Sequence, residues 1–219
     1  MKKLALVTGG TRGIGKAISI LLKNNHYKVI ANYSNNDEAA NDFSKNYGID
    51  VMKWDVGNYE ECKKSIVYIK KNHGNVNVLV NNAGITRDAP LHKMTSEKWE
   101  EVINVNLNSV FNMTSNVIND MRNDNFGRII HISSVNGQKG QFGQTNYAAT
   151  KSALIGFSKS LALESASKSI TSNVIAPGYI NTEMVAAIRE DILSILNTFR
   201  ELVNSFHFSI SNYKVGSPS

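Results

Sequence analysis

The stretch LALVTGGTRGIG, residues Leu4–Gly15, places four apolar residues directly before a turn that contains four glycines. The apolar run predicts a short buried strand, and the apolar periodicity from about Ile14 to Lys23 predicts a helix. Glycines allow the backbone to approach a pyrophosphate closely, and a helix N-terminus favours its negative charge. The order strand, glycine turn, helix therefore predicts a dinucleotide-binding turn. The alternative is a tight turn with a purely structural role.

Further strands and helices alternate along the rest of the chain. Such alternation predicts an α/β fold in which a doubly wound, Rossmann-type parallel sheet carries helices on both faces. No linker, repeat or low-complexity segment interrupts the pattern, so we expect one domain over residues 1–219. The later strands are predicted at Tyr27–Tyr33, Ile49–Trp54, Val76–Val80, Arg128–Ser133 and Ile170–Ala176, and the later helices at about Asp37–Lys45, up to Tyr68, Glu97–Met121 and Asn146–Ala166.

The second predicted strand ends in Asn32-Tyr33-Ser34 and offers no acidic side chain there. Dinucleotide folds that select NAD place an acid near this point, where it binds the ribose 2′-hydroxyl. Asp37 and Glu38 come only where the next helix begins. The absence of an acid, together with Arg12 in the glycine turn, favours NADP(H). The alternative is that Arg12 is a solvated loop cation.

Two later strand ends carry polar or small residues. Asp55 follows the third strand, where its carboxylate either accepts a hydrogen bond from an adenine amino group or caps the next helix. The fourth strand runs into Asn81-Asn82-Ala83-Gly84. Small residues at the carboxyl end of a strand suit the crevice in which such folds bind ligands.

The stretch SVNGQKGQFGQTNYAATK, residues Ser134–Lys151, holds the candidate chemistry. Tyr147 and Lys151 are four residues apart, so on a helix they share one face. A free phenol has a pKa of about 10, and a neighbouring ammonium lowers that pKa towards the range useful for proton transfer. Ser134 follows a β-type run, so its hydroxyl is predicted to project into the same space. The alternative for the Tyr–Lys pair alone is a surface pair on a helix.

Asn106 lies inside the long predicted helix that begins at Glu97. Asparagine is unfavourable within a helix because its side chain competes for backbone hydrogen bonds. Asn106 is therefore a candidate for a polar task. The alternative is chance, since the chain is rich in asparagine throughout.

Composition excludes several classes of function. Of 219 residues, 42% are hydrophobic and 19% charged, as in an ordinary globular protein. The single cysteine, Cys62, excludes an internal disulfide and fits a reducing cytoplasm. The five histidines lack metal-ligand spacing, and no stretch of about 18 apolar residues predicts a membrane span. The net charge of +6 favours a phosphate-rich cofactor or substrate over nucleic acid, because the basic residues form no patch interleaved with aromatics.

These motifs resemble, in order and spacing, those of the short-chain dehydrogenase/reductase family over about residues 4–198. The resemblance rests on Thr8-Gly9-x-x-x-Gly13-x-Gly15, Asn81-Asn82-Ala83-Gly84, Ser134 with Tyr147-x-x-x-Lys151, and Pro177-Gly178. NNAGITRD (Asn81–Asp88) and SSVNGQKGQFGQTNY (Ser133–Tyr147) are similar to the acetoacetyl-CoA reductases of the family. NNAGITRD and NYAA-x-K are also shared with its 3-oxoacyl-[acyl-carrier-protein] reductases.

The resemblance implies a catalytic set and an NADP site. Tyr147 is expected to donate the proton to a carbonyl oxygen, Lys151 to lower the pKa of Tyr147 and hold the nicotinamide ribose, and Ser134 to polarise the carbonyl. Asn106 is expected to anchor a water in a proton relay. Cofactor contacts are implied for Gly9, Gly10, Thr11, Arg12, Gly13, Ile14, Ser34, Asp55, Val56, Asn82, Ala83, Gly84, Ile85, Tyr147, Lys151, Pro177, Gly178, Ile180 and Thr182. Substrate contacts are implied for Asp88, Lys93, Gln141, Phe142, Gln144 and Tyr179.

The sequence after Thr198 departs from the family pattern. Phe199-Arg200 leads directly into ELVNSFHFSISNY, without the usual preceding loop, and no final strand is recognisable after Tyr213. We therefore expect six strands with the usual seventh missing, and a substrate flap with an atypical helical region over residues 181–213. The sixth strand is then an exposed edge, which favours association. Either the tail is a repacked, working variant, or a damaged gene has left the protein poorly stable or inactive.

The resemblance implies NADPH-dependent reduction of a 3-oxoacyl thioester, with acetoacetyl-CoA giving (R)-3-hydroxybutanoyl-CoA. An acyl-carrier-protein thioester is the alternative substrate. A second alternative, from a different class, is a catalytically impaired module that binds NADP(H) without turnover. We expect a cytoplasmic homo-oligomer, either dimer or tetramer, without a metal, a nucleic acid or a membrane as partner.

Overall fold

A parallel sheet of six strands forms the centre of the computed structural model, which describes residues 2–178 and Thr198. The strand order is β3-β2-β1-β4-β5-β6, and every neighbouring pair is parallel. The predicted doubly wound α/β fold is therefore confirmed. The strands are β1 (Leu4–Val7), β2 (Lys28–Tyr33), β3 (Asp50–Lys53), β4 (Val76–Asn81), β5 (Gly127–Ile132) and β6 (Ile170–Ile175). The predicted flap and the atypical region over 181–213 lie outside the described residues apart from Thr198, and so does the stretch in which the seventh strand was predicted to be missing.

Helices connect the strands, and several begin at the polar residues that favour helix starts. The side chains of Asn36, Asn58 and Thr95 each accept a hydrogen bond from a backbone N–H in the first turn of the helix that follows. The α-helices are α1 (Gly13–Asn24), α2 (Asp37–Tyr47), α3 (Tyr59–His73), α4 (Ser96–Ile103), α5 (Ser109–Asn123), α6 (Asn136–Lys139) and α7 (Thr145–Ser165). Within the described residues, none of these helices is both long and apolar enough to cross a bilayer.

The two faces of the sheet bury two separate hydrophobic clusters. Side chains alternate along β1, so that Leu4 and Leu6 enter one cluster while Ala5 and Val7 enter the other. Apolar residues of α3, α5 and α7 complete the first cluster, and those of α1 and α2 complete the second. Because both faces are covered, β1 reads as a continuous apolar run, LALV, that is buried throughout.

The long helix predicted from Glu97 to Met121 is not continuous. The structure ends α4 at Ile103, continues through a π-helical turn at Asn104–Asn108 and then begins α5. Asn106 lies in this π turn, where its side chain is engaged with a neighbouring loop (below). π turns often mark functional positions. The short helix α6, inside the glycine- and glutamine-rich stretch after Ser134, was also not predicted.

The sheet order creates a crevice above β1 and β4. From β1 the chain proceeds to β2 on one side, and β4 lies on the other, so the connections diverge at this point. Open α/β sheets bind ligands outside the carboxyl ends of the strands at such a switch point. The glycine turn after β1, the segment after β4 and the residues after β5 all reach this edge.

Candidate active site

The glycine turn after β1 has the geometry of a phosphate-binding turn. Gly9 adopts a positive φ of 60°, and a Cβ on Gly15 would lie only 2.2 Å from the carbonyl oxygen of Gly9. Both positions therefore require glycine. At the start of α1, Arg12 makes no side-chain capping bond, and the first turn holds no acidic residue. The turn thus suits the pyrophosphate of a dinucleotide, since its helix end favours an anion.

Thr8 and Asn82 join the ends of β1 and β4. The Thr8 hydroxyl oxygen accepts hydrogen bonds from the backbone N–H groups of Asn82 and Ala83, at 2.9 and 3.0 Å. The Asn82 amide donates back to the carbonyl oxygens of Thr8 and Gly9, at 2.9 and 3.2 Å. This reciprocal bonding fixes the Asn82–Gly84 segment beside the glycine turn.

Asn106 uses both ends of its amide to hold the same segment. Its Oδ1 accepts from the N–H of Ile85 at 2.8 Å, and its Nδ2 donates to the carbonyl oxygen of Ile85 at 3.0 Å. A Cβ on Gly84 would lie 3.3 Å from Asn106 Oδ1 and 3.4 Å from Lys151 Nζ. Asn106 is buried and does perform a polar task, whereas its part in a proton relay stays a prediction.

Lys151 is held as a buried ammonium at the end of β5. Its Nζ donates to the carbonyl oxygen of Ile132 at 2.8 Å, and the Ser133 hydroxyl donates to the carbonyl oxygen of Lys151 at 2.7 Å. The side chain is only 4% exposed. Burial lowers the pKa of Lys151 from 10.5 to about 8, because the charged form loses its hydration.

Tyr147 lies on the same face of α7, one turn before Lys151. The Lys151 Nζ is 5.6 Å from the centroid of the Tyr147 ring. Burial raises the pKa of the phenol, a side-chain hydrogen bond from Ser134 opposes that rise, and the charge of Asp88 adds to it. The prediction that Lys151 lowers the pKa of Tyr147 is therefore wrong for the protein alone. Desolvation prevails, and the group that favours the phenolate is Ser134.

These groups meet in one open cleft of about 480 Å³. The predicted Ser134, Tyr147 and Lys151 line it together with residues predicted to bind a cofactor. The cleft also touches Thr86 and Arg87, which the sequence did not single out. Its lining is Arg12, Ile14, Asn82, Gly84, Ile85, Thr86, Arg87, Ile132, Ser133, Ser134, Tyr147, Lys151, Pro177 and Gly178. The arrangement combines a phosphate-binding turn with a phenol, a hydroxyl and an ammonium.

Comparison with known proteins agrees with this geometry. Residues 3–193 match the family model described as short chain dehydrogenase. The chain belongs to the short-chain dehydrogenase family. Membership implies a nicotinamide cofactor, and the cleft fits one through its uncapped, acid-free helix start. Within residues 2–178 and Thr198, no group of three metal-ligating side chains occurs.

Several relatives of this short-chain dehydrogenase have assigned names. It is 57% identical to an acetoacetyl-CoA reductase of Shinella zoogloeoides over 194 residues, 89% of this chain and 80% of the relative. It is 56% identical to an acetoacetyl-CoA reductase of Rhizobium meliloti over the same shares. It is 42% identical to the 3-oxoacyl-[acyl-carrier-protein] reductase FabG of Buchnera aphidicola over 223 residues, 96% of this chain and 91% of the relative.

Other predicted cofactor residues lie apart from this lining. Ser34 is exposed just after β2. Asp55 accepts from the N–H of Gly57 at 2.8 Å, and it is Asn58 that caps α3, so the capping role suggested for Asp55 is wrong. The side chain of Val56 packs into the hydrophobic core. An adenine contact from Asp55 or from the backbone of Val56 stays a prediction, and Ile180 and Thr182 lie outside the described residues.

The predicted substrate residues occupy two loops and a short helix next to the cleft. Asp88 and Gln144 contact each other, and the N–H of Ala89 donates to the carbonyl oxygen of Gly143 at 2.8 Å. The two loops are therefore joined. Gln141 and Phe142 are exposed on the second loop, Lys93 is exposed in a 3₁₀ turn at Leu91–Lys93, and Tyr179 lies outside the described residues.

Three site-forming residues escaped prediction as functional. Thr8 joins two strand ends, and Asn32 accepts from the N–H of Gly9 at 3.3 Å. Asn136 donates its backbone N–H to Ser134 Oγ at 3.1 Å. Short polar residues at the carboxyl ends of β1 and β2 are a local signal that could have revealed Thr8 and Asn32. Nothing comparable marks Asn136.

Proposed function

We propose that this protein reduces 3-oxoacyl thioesters with NADPH and that acetoacetyl-CoA is its preferred substrate. The observation that carries the proposal is the meeting of Ser134, Tyr147 and Lys151 beside the glycine turn in one cleft. The identity of 57% to a relative named acetoacetyl-CoA reductase supports the choice of substrate. The product is a 3-hydroxyacyl thioester, of R configuration by analogy with the family.

The side chains at the cleft suit the charge that develops on the substrate. When bound, the nicotinamide supplies hydride to the carbonyl carbon. Ser134 donates a hydrogen bond to the carbonyl oxygen, and Tyr147 delivers a proton to that oxygen as negative charge develops. Lys151 is protonated at neutral pH, because its pKa of about 8 lies above it, and its ammonium would hold the nicotinamide ribose.

NADPH is proposed over NADH on the charges around the cleft. The glycine turn and the Asn82–Ile85 segment would hold the cofactor. Arg12 lines the cleft, and no acid stands directly at the end of β2. Asp37, the nearest acid in sequence, is engaged in an ion pair of 2.9 Å with Lys53. A 2′-phosphate would therefore meet a cation at Arg12 and little opposing charge.

A carrier-protein thioester is the second candidate substrate. The FabG relative covers 96% of this chain, more than the CoA-reductase relatives cover, which favours this reading. Against it stands the lower identity of 42%. Phe142 is 86% exposed on the loop beside Gln144, where its ring offers an apolar surface to the arm of either thioester.

The test is loss of NADPH absorbance on mixing the purified protein with acetoacetyl-CoA, with NADH and with acetoacetyl-acyl carrier protein in parallel arms. We expect turnover with NADPH and a higher kcat/KM for the CoA thioester. Equal or greater kcat/KM on the carrier protein would overturn the preferred substrate. A folded protein that binds NADPH but reduces neither thioester would overturn the function and leave a silent binding module.

The proposal extends to assembly and location. We propose one catalytic domain that forms a homo-oligomer in the cytoplasm. A groove of about 570 Å³ between α5 and α7 carries Phe111, Ile118 and Phe157, and Phe111 is 56% exposed, which supports association. The one cysteine, Cys62, is a buried thiol, as expected in a reducing compartment. Light scattering coupled to size exclusion tests the assembly, and a monomeric mass would contradict it.

A further inference from the structure

A chain of hydrogen bonds runs from the exposed Asp88 inward to Ser134. Asp88 Oδ2 accepts from Gln144 Nε2 at 2.9 Å, and Gln144 Oε1 accepts from Asn136 Nδ2 at 3.0 Å. The backbone N–H of Asn136 then donates to Ser134 Oγ at 3.1 Å. Exposure falls along this chain, from exposed Asp88 through half-buried Gln144 to Asn136, which is 6% exposed.

The donor-to-acceptor direction of these hydrogen bonds follows from the chemistry of Asp88. An ionised carboxylate can only accept hydrogen bonds, so Gln144 must present its NH₂ group to Asp88. The Gln144 carbonyl oxygen consequently faces inward, and Asn136 must donate to it from its own NH₂ group. This leaves Asn136 Oδ1 buried without a hydrogen-bond partner among the described residues. A buried acceptor without a partner destabilises the fold, so a polar residue at this position calls for a functional reason.

Asn136 begins helix α6, which packs closely on the turn of α7 that carries Lys151. A Cβ on Gly137 would lie 2.7 Å from the carbonyl carbon of Lys151, and the Ser152 hydroxyl donates to the carbonyl oxygen of Gly137. The start of α6 is therefore fixed against α7 on one side. On the other side, the hydrogen bond from the Asn136 side chain connects the start of α6 to Gln144.

We propose that Asn136 is a positioning residue for Ser134. The position of Asn136 itself depends on Asp88, which acts through Gln144. Because Ser134 Oγ accepts the N–H of Asn136, the orientation of the hydroxyl is fixed, and its single proton, which bonds the Tyr147 phenol in the protein alone, can turn to a substrate carbonyl when one is bound. A thioester bound near Asp88 and Gln144 is thereby coupled to the orientation of the catalytic hydroxyl. This inference rests on the proposed function, in which Ser134 polarises the carbonyl.

The chain can be broken and then rebuilt in reverse. Asn136→Asp places carboxylates at both ends of Gln144, whose single NH₂ group can satisfy only one of them. Asp88→Asn alone leaves the chain intact, because an asparagine can also accept from Gln144. The double variant Asp88→Asn/Asn136→Asp conserves the net charge and allows the Gln144 amide to turn. Its NH₂ group then donates to the introduced carboxylate, and its carbonyl oxygen accepts from the introduced amide.

The four proteins are compared by kcat and KM for acetoacetyl-CoA, NADPH affinity and urea unfolding. We expect Asn136→Asp to lower kcat about 10-fold with NADPH affinity unchanged, and the double variant to return to within about 3-fold of Asp88→Asn. A defect in packing alone would not be rescued by a swap at an exposed position. Normal kcat in Asn136→Asp, or additive effects of the two substitutions, would overturn the proposal.

Two further measurements keep the test decisive. If Asn136→Asp does not fold, Gln144→Met removes both bonds without burying a charge, and an unchanged kcat in that variant would overturn the proposal. If the wild type reduces no thioester, the proposed function fails by itself. The hydrogen-bond chain from Asp88 to Ser134 is then tested by urea unfolding. Recovery of the free energy of unfolding in the double variant supports the chain, and additive losses from the two substitutions overturn it.

Discussion

The ammonium of Lys151 donates a hydrogen bond of 2.8 Å to the main-chain carbonyl of Ile132, the last residue of β5. This bond ties the catalytic helix α7 to the strand that delivers Ser133 and Ser134. It also places a charge where only 4% of the side chain is exposed. The site is therefore built at a cost to stability, and that cost depends on pH.

The first prediction is that Lys151→Met removes this pH dependence. In the folded protein the pKa of Lys151 is lowered to about 8, against 10.5 when exposed. Below pH 8 Lys151 is protonated in both the folded and the unfolded protein, so the folded state bears the full cost of burying the charge. Between pH 8 and pH 10.5 only the unfolded protein keeps this proton. Wild-type stability should therefore rise with pH relative to the variant, by about 3 kcal/mol across that window.

Urea unfolding of both proteins from pH 7 to pH 10.5 measures this difference. Lys64→Met, at an exposed position on α3, is the matched control, and its stability should follow that of the wild type at each pH. Parallel curves for wild type and Lys151→Met would show that the buried lysine keeps its ordinary affinity for protons.

The second prediction is that Tyr147→Phe abolishes reduction but spares cofactor binding. The phenol acts on charge that develops only in the transition state, and a positioned general acid contributes about 10²- to 10⁴-fold to rate. We expect kcat to fall by at least about 100-fold with the NADPH dissociation constant nearly unchanged. Tyr68→Phe, an exposed tyrosine on α3, is the control. Near-normal turnover in Tyr147→Phe would remove the phenol from its role.

The strands and the cleft could be predicted because their signals are local. An apolar run followed by glycines fixes β1 and its turn, and a spacing of four fixes which residues of α7 share a face. Ser134, Tyr147 and Lys151 could thus be brought together from the sequence, and the structure places all three in one cleft.

The sequence did not show how deeply each side chain is buried or which residues it contacts in the folded protein. Spacing puts Lys151 beside Tyr147 but does not show that both are desolvated, so the direction of the phenol's pKa shift was predicted wrongly. The π turn at Asn104–Asn108 was missed because its apolar pattern continues that of a helix. The Asp88–Gln144–Asn136 contacts join segments that only the folded chain brings together.

The third prediction is that Gly15→Ala damages the glycine turn. The added methyl would lie 2.2 Å from the carbonyl oxygen of Gly9, which is backbone and cannot turn away. We expect a loss of about 1–3 kcal/mol in the free energy of unfolding, with NADPH affinity reduced about 10-fold or more. Urea unfolding and fluorescence titration with NADPH measure the two effects.

Gly156→Ala is the matched control for this substitution. Gly156 lies inside α7, and a Cβ there meets no heavy atom within 4 Å beyond its chain neighbours and the nearby backbone of its own helix. Alanine is the better helix former, so this variant should gain about 0.8 kcal/mol and bind NADPH as before. If Gly15→Ala bound NADPH as well as Gly156→Ala does, the turn would not be the pyrophosphate site.

The fourth prediction is that Arg12→Ala reduces the preference for NADPH. Arg12 lines the cleft at the start of α1, where its guanidinium can pair with a 2′-phosphate that NADH lacks. A hydrogen bond to a charged group contributes about 1.5–3 kcal/mol, so the NADPH dissociation constant should rise about 10- to 100-fold while that of NADH stays the same. Because Arg12 is exposed, the effect should shrink as salt is raised. Lys64→Ala, which removes an equal charge from α3, should leave both dissociation constants unchanged. If Arg12→Ala weakened the binding of NADPH and NADH equally, Arg12 would be a general phosphate contact and would not select NADPH.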